Sequence, residues 1–83
     1  MNLSRANEYR RKYYSPKRSQ CDMVLEYMEL YGSITPLEAL YAIGMIRLGA
    51  RIFNLREAGY DISTEMKQSA TDRTRYAVYT LNA

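Results

Sequence analysis

Residues 33–59 read Ser33-Ile-Thr-Pro-Leu-Glu-Ala-Leu-Tyr-Ala-Ile-Gly-Met-Ile-Arg-Leu-Gly-Ala-Arg-Ile-Phe-Asn-Leu-Arg-Glu-Ala-Gly59, and this stretch decides the fold. Its first half predicts a helix that starts after Thr35, whose hydroxyl can accept a bond from a free backbone N–H group. Pro36 fits the first helical position, where its missing N–H costs nothing, and Glu38 completes a capping box with Thr35. Gly44 offers the left-handed conformation that ends a helix. These signals predict one short helix between Pro36 and Gly44.

A second helix follows the glycine turn. Four residues recur at spacings of four, three and four, as one face of a helix requires: Leu48, Ile52, Leu55 and Gly59. We expect this face to pack against the rest of the domain. Two short helices joined by a glycine-containing turn form a helix-turn-helix, so the stretch predicts that motif.

Another side of the second helix carries the candidate base-reading residues Arg47, Ala50, Arg51 and Asn54. Arginine can pair with guanine and asparagine with adenine through two hydrogen bonds each, and a small residue between them lets the helix approach a groove. The same pattern fits the solvated side of an ordinary amphipathic helix. From this helix alone, both interpretations stay open.

Length and composition narrow the function classes. The chain has 83 residues, which suits one small domain, and it shows no signal peptide or apolar run that would span a membrane. Its one cysteine, Cys21, leaves no internal disulfide and fits a reducing compartment, so we expect a cytoplasmic protein. The chain contains no histidine, the usual general base and commonest transition-metal ligand. We therefore predict no enzyme, no metal site and no cofactor.

Charge divides the chain into two predicted parts. Residues 1–18 hold six basic groups and one acidic group, whereas residues 19–83 hold six basic and eight acidic groups. We interpret 1–18 as a tyrosine-rich basic arm that is either flexible or a short helix, and 19–83 as the folded domain. The arm's candidate phosphate-contacting residues are Arg10, Arg11, Lys12, Lys17 and Arg18. A solvated tail, or a helix that docks its tyrosines on the body or a second copy, stays open as the alternative.

The folded domain begins and ends with recognisable elements. Ser19 and Gly32 are the expected cap and stop of a first helix, whose acidic side we interpret as an ordinary solvated face. After Gly59 the apolar period changes to two, which predicts a strand over 60–66, and Tyr76–Leu81 is rich in strand-forming residues. The polar segment 67–75 between them is predicted to be a loop. Two such strands form an antiparallel hairpin, or wing.

The predicted wing loop carries three candidate backbone-contacting cations, Lys67, Arg73 and Arg75. The predicted fold is α+β, mainly α: a three-helix winged helix-turn-helix with a C-terminal β-hairpin wing and a basic N-terminal arm. The second helix of the motif, the wing and the arm would then all lie on one side. This agreement between separate segments favours DNA binding.

The chain resembles the small winged helix-turn-helix domains frequent in bacteriophages and prophages. The resemblance spans roughly residues 20–81, and its specific parts are Ile34-Thr-Pro-Leu-Glu-Ala39 and Leu55-Arg-Glu-Ala-Gly-Tyr-Asp-Ile62. It implies double-stranded DNA binding with the second helix of the motif in the major groove, which falls on Arg47, Arg51 and Asn54. We therefore expect a sequence-specific regulator of phage or prophage transcription.

One alternative function stays open. Small phage proteins with such a body also bind host proteins, for instance as inhibitors of defence nucleases. The acidic first helix and the nine tyrosines of the chain would suit a protein interface. Homodimer formation is also left open, because a symmetric dimer contacts twice as many base pairs as one small DNA-binding domain. No membrane partner is expected.

Overall fold

The structure is a computed structural model that describes residues 3–82. Within that range the helices are α1 (Ser4–Lys12), α2 (Gln20–Tyr31), α3 (Pro36–Ile43) and α4 (Leu48–Glu57). The strands are β1 (Ser33–Ile34), β2 (Ile62–Gln68) and β3 (Arg75–Leu81). None of these helices has both the length and the apolarity needed to cross a membrane.

The predicted helix boundaries follow from their capping residues. The Ser19 hydroxyl accepts a hydrogen bond from the Asp22 backbone N–H at 3.1 Å, and Gly32 ends α2 with φ of 89°. Both bonds of the Thr35–Glu38 capping box are present at the start of α3, and Gly44 ends that helix with φ of 78°. The helix-turn-helix is therefore confirmed as α3, a turn and α4.

The segment predicted as an arm, flexible or a short helix, contains the helix α1, which precedes the three predicted helices. This helix packs against α3. Ala6 and Tyr9, three residues apart on one face of α1, have no exposed surface and join the same core as Val24 and Ile52. Two apolar positions among many charges give too weak a periodic signal for sequence reading, but they suffice for packing.

The strands form one antiparallel sheet in the order β1-β3-β2. The hairpin predicted after Gly59 is confirmed as β2 and β3, in a register that runs from Ile62 opposite Leu81 to Gln68 opposite Arg75. The strand β1 has only two residues, and it pairs with the end of β3. A strand of that length has no periodicity to detect, so the sequence does not predict it.

The limits of the predicted wing loop were wrong. The ladder continues past Met66 and pairs Lys67 with Tyr76 and Gln68 with Arg75. Lys67 and Arg75 therefore lie on strands, and the loop itself covers residues 69–74. Of the three predicted loop cations, Arg73 alone lies in the loop.

Candidate nucleic-acid interface

The helix α4 packs one side into the core and exposes another. Leu48, Ile52 and Leu55 are at most 5% exposed, which confirms the predicted packing side. Arg47 and Asn54 are exposed, whereas Ala50 and Arg51 are partly buried. The predicted base-reading residues thus lie together along one helix, with Arg51 nearest to the body.

The two arginines of this group flank a cavity of about 440 Å³ at the N-terminal end of α4. Arg47 is the N-cap residue of the helix, and Arg51 lies one turn further on. They line the cavity together with Gln20, Gly44, Met45 and Ile46. No carboxylate within residues 3–82 forms an ion pair with either arginine, and the enclosed Nε of Arg51 has no hydrogen-bond partner there. This end of α4 therefore presents uncompensated positive charge.

The candidate cations of the N-terminal segment divide into two groups. Arg18 donates to Glu26 at 2.7 Å, and Lys12 lies 3.7 Å from Glu8. The hydrogen bond from Arg18 holds the pKa of the Glu26 carboxyl below its usual range. These two cations already have acidic partners on the protein.

The other cations of this segment lie differently. Arg11 and Lys17 are exposed and form no ion pair within the described part of the chain. Arg10 stacks over the Tyr14 ring with 4.7 Å between its guanidinium carbon and the ring centroid. One of its guanidinium nitrogens lies 3.9 Å from where a Cβ on Gly44 would be. Arg10 is therefore held beside the turn of the helix-turn-helix, close to the cavity that Arg47 lines.

The wing loop is shaped by its own hydrogen bonds. Ser69 N–H donates to the Thr74 carbonyl at 2.8 Å, and the Asp72 carboxylate accepts from the Thr74 N–H at 3.0 Å. The bonds from Thr74 lower the pKa of Asp72. Arg73 has φ of 60°, a left-handed conformation that is uncommon for a side-chain-bearing residue. The tip of the wing is thus a defined turn that exposes Arg73.

Comparison with known protein families identifies the domain. The model of a family described as "Winged helix-turn-helix domain" matches residues 19–83. The chain belongs to this family. Searches of curated proteins and of solved structures give no match. Membership of the family indicates DNA binding, and α1 lies before the matched range.

In this winged helix-turn-helix domain, α4 is the second helix of the motif and β2–β3 is the wing. Arg56, which the sequence analysis did not single out, joins the two. Its guanidinium donates to the Ile62 carbonyl at 2.6 Å and to the Thr64 hydroxyl at 2.8 Å. Arg56 therefore holds the base of the wing against the end of α4. No sequence signal predicts this, since it depends on where the chain turns after Gly59.

A second missed network holds α1 to the helix-turn-helix. Glu38 is 4% exposed and accepts hydrogen bonds from Arg5 at 2.7 Å and from the Tyr27 hydroxyl at 2.9 Å. It also accepts from the Thr35 N–H at 3.1 Å, as the capping box requires. Arg5 reaches further to the carbonyl of Tyr31 at 3.2 Å. A capping residue predicted from the sequence is thus also the centre of a buried polar cluster.

Not all predicted contact residues come together. Lys67 lines a different cavity, formed with Arg5, Ser33 and Glu38 on the side of α1. By contrast, Arg47, Arg51 and Arg10 gather around the turn between α3 and α4. The cationic group that the structure brings together is therefore smaller than the group predicted from the sequence, and we call Arg10, Arg47 and Arg51 the turn arginines.

Proposed function

We propose that this domain binds double-stranded DNA sequence-specifically and regulates transcription of a bacteriophage or prophage in the bacterial cytoplasm. The observation that carries the proposal is the exposed end of α4, where Arg47 and Arg51 lack acidic partners. Cations without internal partners are available for DNA phosphates or for the acceptor atoms of guanine. The phage assignment is supported by the resemblance carried by residues 34–39 and 55–62.

The fold supports a specific orientation on DNA. The helix α4 has ten residues, a length of about 15 Å, which fits a major groove. Its acidic residue Glu57 lies in the last turn and would be repelled by phosphates, whereas Arg47 and Arg51 lie at its N-cap and in its first turn. We therefore propose that α4 enters the major groove with its N-terminal half, while the wing and the exposed cation Arg11 contact the backbone.

Selection of bound duplexes from a random DNA pool tests the proposal. The selected site is then measured against a scrambled site with the Arg47→Ala and Arg51→Ala variants. Each change is expected to lower discrimination by about 1–3 kcal/mol if it removes a two-bond contact to a base. Arg11→Ala is the matched control, because it removes the same charge and should weaken both duplexes equally. Discrimination that is unchanged in both α4 variants would contradict the assignment of α4.

A second candidate function is supported by a separate observation. An apolar groove of about 590 Å³ lies between α3, the turn and the wing loop, and its apolar lining consists of Pro36, Leu37, Leu40, Met45, Ile46 and Tyr76. Leu40 is 44% exposed. Exposed apolar surface of this kind is typical of protein interfaces. The domain would then bind and inhibit a host protein such as a defence nuclease.

Host lysate distinguishes the two functions. A host protein retained after complete nuclease digestion, and lost in a Leu40→Ser variant, would favour the second function. Leu30→Ser is the matched control, because Leu30 is 46% exposed on α2 and does not line the groove. If nuclease digestion removes every captured protein, the second function is contradicted and only the DNA-binding proposal remains.

A further inference from the structure

The strand β2 forms one edge of the sheet, whose order is β1-β3-β2. Its residues 63–68 are all exposed, and no other strand within residues 3–82 pairs with its outer side. The strand contains no proline, and its register with β3 contains no bulge. Proline and bulges are among the features that keep an edge strand from pairing with another chain. The outer side of β2 is therefore open to a further strand.

The hydrogen bond at the wing loop shows which backbone groups of β2 face outward. The Ser69 N–H donates to the Thr74 carbonyl at 2.8 Å, directly beyond the pair formed by Gln68 and Arg75. In an antiparallel ladder, a bond at that position means that Gln68 and Arg75 exchange no hydrogen bond with each other. The N–H and C=O groups of Gln68 therefore point away from β3. Because this alternates along the strand, the outward-facing groups belong to Thr64, Met66 and Gln68.

The start of this edge is closed by a side chain. The carbonyl of Ile62 faces outward in the same alternation, and the guanidinium of Arg56 donates to it at 2.6 Å. No other backbone group within residues 3–82 bonds to the outward-facing N–H and C=O groups of Thr64, Met66 and Gln68. The open edge therefore covers residues 63–68.

The side chains of this open edge are complementary to those of a second copy. Glu65 and Lys67 carry opposite charges and form no ion pair within residues 3–82, and Met66 between them is 52% exposed. In an antiparallel pair of β2 strands centred on Met66, each Glu65 lies opposite Lys67 of the other copy. The two Met66 side chains then meet at the axis. This register also pairs the outward-facing groups of Thr64 with those of Gln68, as the ladder requires.

Neighbouring registers are less favourable. A pair centred on Glu65 or on Lys67 places two like charges opposite each other, which is destabilising. A pair centred on Thr64 needs the Ile62 carbonyl that Arg56 already occupies. Charge and hydrogen bonding thus select the same register, the one centred on Met66.

We propose that β2 pairs with β2 of a second copy of this chain, antiparallel and centred on Met66, to form a two-fold symmetric dimer. The two sheets would join into one continuous sheet across the axis. The inference concerns assembly, so it stands whether or not the domain binds DNA.

Sedimentation over a range of protein concentrations tests the dimer, with charge reversals at the two complementary positions. Glu65→Lys and Lys67→Glu should each weaken dimerisation by roughly tenfold or more, because both attractive pairs become repulsive. An equimolar mixture of the two variants should dimerise as the parent does, since the opposite charges then face each other again. Glu29→Lys, which reverses an exposed charge on α2, is the matched control and should leave dimerisation unchanged.

Met66→Pro tests the backbone bonds. The Met66 N–H points outward, so proline removes no bond between β2 and β3 and should abolish the dimer without unfolding the domain. In the parent, amide hydrogen exchange at Thr64, Met66 and Gln68 should slow as the protein concentration rises. A parent that stays monomeric up to its highest soluble concentration would overturn the proposal. A dimer that persists in Met66→Pro, or a mixture of the charge variants that stays monomeric, would also overturn it.

Discussion

In α1 the first arginine turns inward, whereas in α4 the arginines near the start stay without acidic partners. Arg5 donates to Glu38 at 2.7 Å and lies with its guanidinium carbon 5.5 Å from the Tyr27 ring centroid. Arg47 and Arg51 have no carboxylate partner within residues 3–82. The same residue type thus holds the fold together in one helix and remains available for a ligand in the other.

This difference changes the meaning of the charge distribution. Residues 1–18 carry six basic residues and one acidic residue, whereas residues 19–83 carry more acidic than basic residues, which suggests that most attraction to DNA comes from the N-terminal segment. In the structure, Arg5 pairs with Glu38 and Arg18 pairs with Glu26, so the charges of each pair neutralise one another locally. The available positive charge is therefore more evenly divided between the N-terminal segment and the turn of the helix-turn-helix than the sequence suggests.

The largest expected effect comes from the acid that α1 binds. Glu38→Ala should lower the free energy of unfolding by about 3 kcal/mol, because it leaves the buried Tyr27 hydroxyl without a partner, removes the carboxylate that pairs with the Arg5 charge and removes half of the capping box. Urea denaturation measures the change. Glu29→Ala, which alters an exposed acid on α2, is the control and should change stability by less than about 0.5 kcal/mol. Equal effects would mean that the Glu38 network does not stabilise the fold.

Alkaline pH should lower the free energy of unfolding, because buried tyrosines pack where α1 meets the body. Burial, together with hydrogen bonds to Glu26 and Glu38, raises the pKa of Tyr9 and Tyr27 above the ordinary value of 10.0. These hydroxyls ionise more easily in the unfolded chain, so their stabilisation is fully present below about pH 10 and is lost as the pH rises further. Each can contribute a slope of up to about 1.4 kcal/mol per pH unit.

Denaturation at several alkaline pH values tests this expectation. Tyr27→Phe should make the decline of stability with pH shallower, since the unfolded state then has one fewer tyrosine that ionises first. Tyr41→Phe is the control, because Tyr41 is 48% exposed and should not change the slope. An identical slope in the parent and in Tyr27→Phe would contradict the role assigned to the buried hydroxyl.

A smaller effect is expected where an arginine of α4 serves the fold. Arg56→Ala should lower the free energy of unfolding by about 1 kcal/mol, because it removes bonds to the Ile62 carbonyl and the Thr64 hydroxyl. Hydrogen exchange in β2 should accelerate more than exchange in α2. Glu57→Ala, the adjacent exposed residue, should leave both measurements unchanged. If the wing exchanges at the parent's rate without Arg56, this residue does not hold the wing.

The sequence predicts the local features well and the long-range pairs poorly. Caps at Ser19 and Thr35, the stop at Gly44 and the hairpin after Gly59 involve residues a few positions apart, so their chemistry is visible in the chain. The pairing of Arg5 with Glu38 joins residues 33 positions apart, and no periodic pattern encodes it. A short helix within residues 1–18 was left open by the sequence, but its packing against α3 depends on such long-range pairs.

In the candidate site, too, local features are predicted from the sequence and long-range contacts are not. Arg47, Ala50, Arg51 and Asn54 were predicted because they share one side of a single helix. Arg56 was not singled out because its bonds to the Ile62 carbonyl and the Thr64 hydroxyl depend on how the chain folds after Gly59.

The smallest expected effect distinguishes paired from unpaired cations in the N-terminal segment. Arg11→Ala should flatten the dependence of log affinity on log salt by about 0.9 if this exposed residue contacts one phosphate. When the salt concentration rises about fourfold, the variant should therefore lose about threefold less affinity than the parent loses. Arg18→Ala removes the same charge but should leave the slope unchanged, because Arg18 is bound to Glu26 at 2.7 Å. Deleting the whole segment would not make this comparison, since Ala6 and Tyr9 belong to the core. Equal slopes for the two variants would show that pairing with Glu26 does not keep Arg18 from the DNA backbone, and the contrast between the two groups of cations would then be wrong.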